Sequence, residues 1–111
     1  MANQREKGRK AEDQAENFLL NLGYVILTRN YTIRGGELDI VALDGNTIVF
    51  VEVKSRREGN PEEAVGSAKA EGLRKAARAY LRNFAKPESP HRFDMIAVQG
   101  EEIRHHQNFL G

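Results

Sequence analysis

Residues 38–54, LDIVALDGNTIVFVEVK, read as two strands joined at Asp44-Gly45-Asn46, and this hairpin restricts the fold more than any other stretch. Asp-Gly or Gly-Asn between runs of aliphatic and β-branched residues is a strong hairpin signal. Successive strand side chains point to opposite faces, so Ile48, Phe50, Glu52 and Lys54 share one side and Val49, Val51 and Val53 the other. With apolar residues on both sides, strand 47–56 reads as covered and central. Its polar members, and Asp39 in the strand before it, need a reason to be there.

The flanking sequence supplies the remaining elements. Ala11, Ala15, Phe18, Leu19 and Leu22 recur at helical spacing from about Glu6 to Leu22, and Gly23 ends that helix. YVILTRNYT, 24–32, is a first strand rich in β-branched and aromatic residues, followed by an Arg34-Gly35-Gly36 turn. Glu58-Gly59-Asn60-Pro61 opens a loop that lasts to about Ser67. The spacing then predicts a helix over 68–84 with Leu73, Ala76, Ala77, Tyr80, Leu81 and Phe84 inward. Gly72 weakens this helix by up to about 1 kcal/mol against alanine, which is tolerable unless close approach is its purpose. Pro87 and Pro90 mark the exit, and 92–99 and 102–109 read as closing strands around Gly100-Glu101. The order is αβββαββ. A helix between the third and fourth strands permits a crossover, so the expected fold class is α/β, a mixed β-sheet flanked by helices.

At 111 residues, 1–111 reads as a single domain with no room for a second. Cysteine is absent, which excludes disulfides, thiolate chemistry and a cysteine zinc site. The longest apolar stretches fall far short of the roughly 20 residues of a membrane span. MANQREKGRK lacks the apolar run of a signal peptide, so the expectation is a cytoplasmic protein with no membrane partner. The net charge is only +1, yet Arg5, Lys7, Arg9 and Lys10 face one Glu6 in residues 1–10. Between 69 and 86, Lys69, Arg74, Lys75, Arg78, Arg82 and Lys86 face one Glu71. Such local excess favours a polyanionic partner.

Whether Asp39 joins Glu52 depends on the hairpin loop. An even loop gives cross-strand partners opposite parity and sets Asp39 on the face of Glu52; with Gly45-Asn46 as the loop the two are directly opposite. A three-residue loop separates them unless a bulge restores the phase. Facing carboxylates repel, and Lys54 compensates only in part. Oxygen ligands of this kind suit Mg²⁺ or Mn²⁺, which activate water and screen a phosphodiester, while a lysine steadies the charge that develops. From chemistry alone that reading is metal-dependent phosphoryl hydrolysis. The alternative is a wet strand face with an ordinary cross-strand salt bridge, contributing about 0 to 1 kcal/mol.

Gly36-Glu37-Leu38-Asp39-Ile40-Val41 followed by Phe50-Val51-Glu52-Val53-Lys54-Ser55-Arg56 resembles the D…(D/E)-x-K arrangement of restriction-endonuclease-like nucleases. The whole chain is similar to a widespread family of small bacterial proteins predicted to be endonucleases, distantly similar to archaeal Holliday junction resolvases. Matching pieces include Gly8 with Glu12 and Ala15, Gly23-Tyr24, Arg29-Asn30-Tyr31, Pro61-Glu62-Glu63-Ala64-Val65 leading to Lys69, Ala77 with Tyr80-Leu81, and Arg92-Phe93-Asp94. Ala11, His106 and Phe109 depart from the pattern. The resemblance implies a restriction-endonuclease-like fold acting as a metal-dependent endonuclease on DNA, branched DNA included, or a catalytically silent nucleic-acid-binding module on the same scaffold. It implies Asp39 and Glu52 as ligands of Mg²⁺ or Mn²⁺, with the Val53 carbonyl as a third oxygen, Lys54 as catalytic lysine, and Glu12 reaching the same metal. By likeness to resolvases it also implies a homodimer. Glu37 either assists Asp39 or pairs with Arg34.

Lys69 matches a family lysine and is the first phosphate-contact candidate, followed by Arg56 and Arg57. Lys75, Arg78, Arg82 and Lys86 form a stripe along the helix, either a solvated face or a further phosphate-binding flank. Asp94 reads as structural, paired with Arg92 or with a basic helix residue. His91, His105 and His106 have no common spacing that suits zinc.

Overall fold

A computed structural model describes residues 4–56, 59 and 66–111, the side chains of 4–7 excepted. The expected order of elements is present: α1 (Gln4–Asn21), β1 (Val25–Ile33), β2 (Gly36–Asp44), β3 (Thr47–Ser55), α2 (Ser67–Phe84), β4 (His91–Gln99) and β5 (Glu102–His106). The sheet runs β1-β2-β3-β4-β5, with β3 in the middle. β3 and β4 are parallel and every other pair is antiparallel, so the sheet is mixed. Arg57, Glu58 and the Pro61–Val65 motif lie outside the described residues.

Alternation along the central strands builds one core on each face. Val49, Val51, Ile96 and Val98 pack with Ala11, Ala15 and Leu19 of α1. Ile48 and Phe50 turn the other way and pack with Leu73, Ala76, Ala77, Tyr80 and Leu81 of α2. β3 is therefore covered on both sides.

Two residues assigned to the helix interiors are exposed instead. Leu22 is 51% exposed because α1 has already ended: Gly23 adopts φ 92, its N–H bonds Leu20 O, and the Tyr24 N–H reaches back to Leu19 O at 3.1 Å. That is a glycine C-cap, and it turns Leu22 outward. Phe84, the last residue of α2, is 67% exposed and has the Tyr31 and Tyr80 rings against it. β5 is also shorter than the expected 102–109. Asn108 takes φ 55 and its N–H bonds Asp94 Oδ1 at 3.0 Å, which bends the chain so that Phe109 and Leu110 pack on the α2 side.

Gly36 and Gly72 set how closely α2 approaches the sheet. A Cβ on Gly36 would stand 2.2 Å from the Gly72 carbonyl oxygen, and one on Gly72 would stand 3.2 Å from that of Gly35. The tighter demand falls on Gly36, and the close approach it allows at Gly72 carries Lys69, in the first turn of α2, to Glu52.

Candidate functional site

The hairpin loop has two residues. Asp44 pairs with Thr47, and Gly45 carries the positive φ of 61 that the first central position of a type II′ turn requires. The paired register then runs down to Ile40↔Val51. One further step would set Asp39 opposite Glu52, but there the ladder gives way to a side chain: the Val53 N–H donates to Asp39 Oδ2 at 2.8 Å.

β2 changes face at this point. Leu38 belongs to the α2 core and Ile40 to the α1 core, although residues two apart in a regular strand share a side. The neighbouring strand does the same. Tyr31, partner of Leu38, packs on the α2 side, whereas Arg29, partner of Ile40, reaches Glu12 of α1. Asn30 between them has φ 55, a left-handed conformation that asparagine tolerates better than most residues. Parity arguments therefore hold as far as Ile40 and not through Asp39, which sits at the crossover with its carboxylate against the β3 backbone.

Glu52 is 2% exposed and faces the α2 side. Its Oε1 lies 3.4 Å from Lys54 Nζ and 3.3 Å from Lys69 Nζ, the latter carried in by the first turn of α2. Its Oε2 is buried with no hydrogen-bond partner. Burial, then the charge of Glu52, pushes Asp39 up to about 7; Glu12 adds to the rise, and the Val53 N–H and Lys69 oppose it. Glu12 is thus within electrostatic reach of Asp39 from the opposite helix, with its Oε1 held by Arg29 at 3.2 Å. Arg29 also binds Asp13 at 2.7 Å.

The structure brings Asp39, Glu52, Lys54 and Lys69 to one place, with Glu12 at its margin and Val53 as part of its wall. Among the described residues, no three Asp, Glu or His side chains cluster tightly enough to hold an ion by themselves. Glu37 is exposed at the start of β2. Arg56 follows β3 and is exposed; Arg57 is outside the described residues. Arg78 and Arg82 stay away from the site. Nine residues at about 100° each place Arg78 roughly half a turn around α2 from Lys69, where it pairs loosely with Glu71 at 3.8 Å. Arg82 is exposed in the last turn. Sequence reasoning did not find Arg29 as the partner of Glu12, or the direct contact between Lys69 and Glu52. The Arg-Asn-Tyr run was the only signal for the first, and the second depends on where α2 lands.

A second polar cluster lies on the α1 face toward the hairpin end. Arg92 bonds Asp94 through Nε at 3.0 Å and Nη2 at 3.2 Å, Asp44 at 3.0 Å and the Tyr24 hydroxyl at 2.7 Å. His105 Nε2 lies 2.8 Å from Asp94, so one of the histidines completes this cluster. Burial pushes the Asp94 carboxyl up, but the hydrogen bonds from His105, Arg92 and the Asn108 N–H prevail and hold it below its usual value. Asp94 is structural, as its pairing with Arg92 suggested.

The chain belongs to the Uncharacterised protein family UPF0102, whose profile matches residues 11–98. A UPF0102 protein of Carboxydothermus hydrogenoformans is 45% identical over 116 residues, covering 97% of this chain and 98% of its own. Another from Thermodesulfovibrio yellowstonii is 42% identical, with 93% and 94% covered. One from Chlorobium phaeobacteroides is 47% identical, with 82% and 75% covered.

Proposed function

We propose that this member of the family is a Mg²⁺- or Mn²⁺-dependent endonuclease that hydrolyses phosphodiester bonds in DNA, branched DNA included. The observation that carries the reading is Glu52 Oε2, a carboxylate oxygen buried without a partner, next to a second carboxylate, Asp39, whose proton is held up to about 7. Burying such a pair is unfavourable unless a cation or proton compensates. Carboxylate oxygens fit a hard divalent cation. Asp39 and Glu52 would hold it, with the Val53 carbonyl and Glu12 as further oxygens and water completing the set. Such an ion supplies Lewis-acid activation of water and screening of the phosphodiester charge.

The chain's own residues account for the rest. Oδ2 of Asp39 is taken by the Val53 N–H, so a proton retained near neutrality resides on Oδ1. Lys54, partly exposed at the rim of the site, sets a compact ammonium where negative charge develops as water attacks phosphorus. Lys69 adds a second ammonium from α2, and exposed Arg56 adds positive charge beyond the end of β3. Both attract the phosphate backbone without reading bases.

Glu52 Oε1 already meets Lys54 and Lys69, and Asp39 Oδ2 already accepts from the Val53 N–H, which favours a second reading, a nucleic-acid-binding module on this scaffold without turnover. One experiment separates the two. The protein and its Lys54→Ala variant are incubated with labelled linear duplex, single-stranded, flap and four-way DNA in Mg²⁺ or Mn²⁺. The nuclease reading expects wild type to cleave. It also expects Lys54→Ala to lower single-turnover cleavage by at least ~10²-fold, roughly 3 kcal/mol of transition-state stabilisation, while DNA affinity changes no more than severalfold. Equal cleavage by both proteins would assign the activity elsewhere. Tight binding with no cleavage by either would make the binding module the better account.

A further inference from the structure

Glu52 is shared unevenly. Both nearby ammonium groups, Lys54 Nζ at 3.4 Å and Lys69 Nζ at 3.3 Å, lie against Oε1, while Oε2 is buried and bare. Glu52 and its neighbour Asp39 face these two ammoniums, while on the other side Arg29 is shared by Glu12, Asp13 and Glu16. A divalent cation held by Glu52 would meet both ammoniums at close range and compete with them for the same carboxylate. Either an ammonium withdraws or an anion arrives.

The two lysines are not equally free to withdraw. Lys54 projects from β3 at the centre of the sheet, and its side chain is 23% exposed. Lys69 reaches in from another element, its side chain is 38% exposed, and it has somewhere else to go. It lines a groove of about 360 Å³ together with Gly35, Gly36, Glu37, Gly72 and Thr32. Lys75 Nζ lies 2.9 Å from where a Cβ on Gly35 would stand, so a second ammonium borders the groove and favours a phosphodiester there. The first turn of α2 carries no acidic residue, and the groove's acidic lining residue, Glu37, is exposed on β2.

We propose that Lys69 is a two-position residue: without a divalent cation it neutralises Glu52, and with cation and DNA present it transfers to a phosphate oxygen of a strand lying in the groove. The metal and the nucleic acid then bind with positive cooperativity, because each removes a charge conflict the other creates. This rests on the two-carboxylate metal site of the nuclease reading and does not depend on turnover.

The consequence is a pair of effects of opposite sign. Removing the Lys69 charge takes away a competitor for Glu52, so metal should bind more tightly to the free protein while DNA binds more weakly. Mn²⁺ affinity is measured by titration calorimetry on metal-free wild type, Lys69→Met and Lys69→Arg. Four-way DNA affinity is measured in EDTA and in Ca²⁺. Lys69→Met should bind Mn²⁺ about three- to tenfold more tightly without DNA, and lose most of the Ca²⁺-dependent gain in DNA affinity. Lys69→Arg should stay within about twofold of wild type for Mn²⁺, which separates lost charge from disturbed packing. If Lys69→Met binds Mn²⁺ no more tightly than wild type, or Lys69→Arg behaves like Lys69→Met, the two-position role is overturned and the metal site stands. If none of the three proteins binds Mn²⁺, the metal site falls and the two-position role with it.

Discussion

Asp39 sits where two structural demands meet. Its backbone carries β2 from the α2 core to the α1 core, and its carboxylate caps the Val53 N–H that the broken ladder leaves free. The same position puts it in the field of Glu52 and Glu12, which with burial raises it to about 7. Asparagine keeps an oxygen for the Val53 N–H and removes the charge. Asp39→Asn should therefore lower Mn²⁺ affinity at least ~10-fold by calorimetry without lowering the melting temperature at pH 8. Equal metal affinity would remove Asp39 from the ligand set. At this scale the sequence was informative because a carboxylate inside an apolar run stands out: Asp39, Glu52 and Lys54 were each visible as interruptions of a covered hairpin. Lys69 and Arg29 act through contacts with residues many positions away, and no local pattern announces these.

Elements meet where glycine lets them. At Gly36 an added Cβ would collide with the backbone oxygen of Gly72, an atom that can move only if α2 moves. Gly36→Ala should cost roughly 1 to 3 kcal/mol, read as a lower denaturation midpoint, and should draw Lys69 away from Glu52. At Gly72 the contact of 3.2 Å is milder and alanine gains helix propensity, so Gly72→Ala should be close to neutral. A large loss at Gly72 and none at Gly36 would reverse the account. The same docking divides the basic residues of α2. With Ca²⁺ present, Lys69→Ala should reduce the salt dependence of DNA binding by about one unit of slope, whereas Arg78→Ala and Arg82→Ala should leave it nearly unchanged. A stripe at helical spacing shows that residues share a flank; it does not show which flank meets the site. Helix and strand order, the central place of β3 and the two-faced hairpin were legible from periodicity and turn residues. The early end of β5 and the outward turn of Leu22 were not, since each depends on a backbone hydrogen bond rather than on composition.

Across the molecule, two acids with opposite electrostatics share one sheet. Asp94 is fully buried but satisfied by Arg92, His105 and the Asn108 N–H, so its folded-state pKa is depressed. Its stabilising contribution is present above the unfolded value and is lost only as pH falls through the folded one. Asp39 is the reverse, raised from 3.8 to about 7. Its contribution is present below about 3.8 and is lost as pH rises through about 7, because over that window the native state keeps a proton that the unfolded state has released. The decline in stability between about pH 4 and 7 should therefore contain an Asp39 component that Asp39→Asn abolishes. Mn²⁺ should raise the melting temperature of wild type most at the alkaline end, since binding to the native state alone adds stability, and should do little for Asp39→Asn. Asp94→Asn should instead destabilise at both pH 5 and pH 8, by roughly 3 kcal/mol or more, because it weakens the pairing of the guanidinium that ties β4 to Asp44 and Tyr24. Thermal denaturation of the three proteins from pH 4 to 8, with and without Mn²⁺, tests all of this together. A wild-type profile that Asp39→Asn leaves unchanged in slope would mean that Asp39 carries no raised pKa, and the electrostatic case for a cation between Asp39 and Glu52 would go with it.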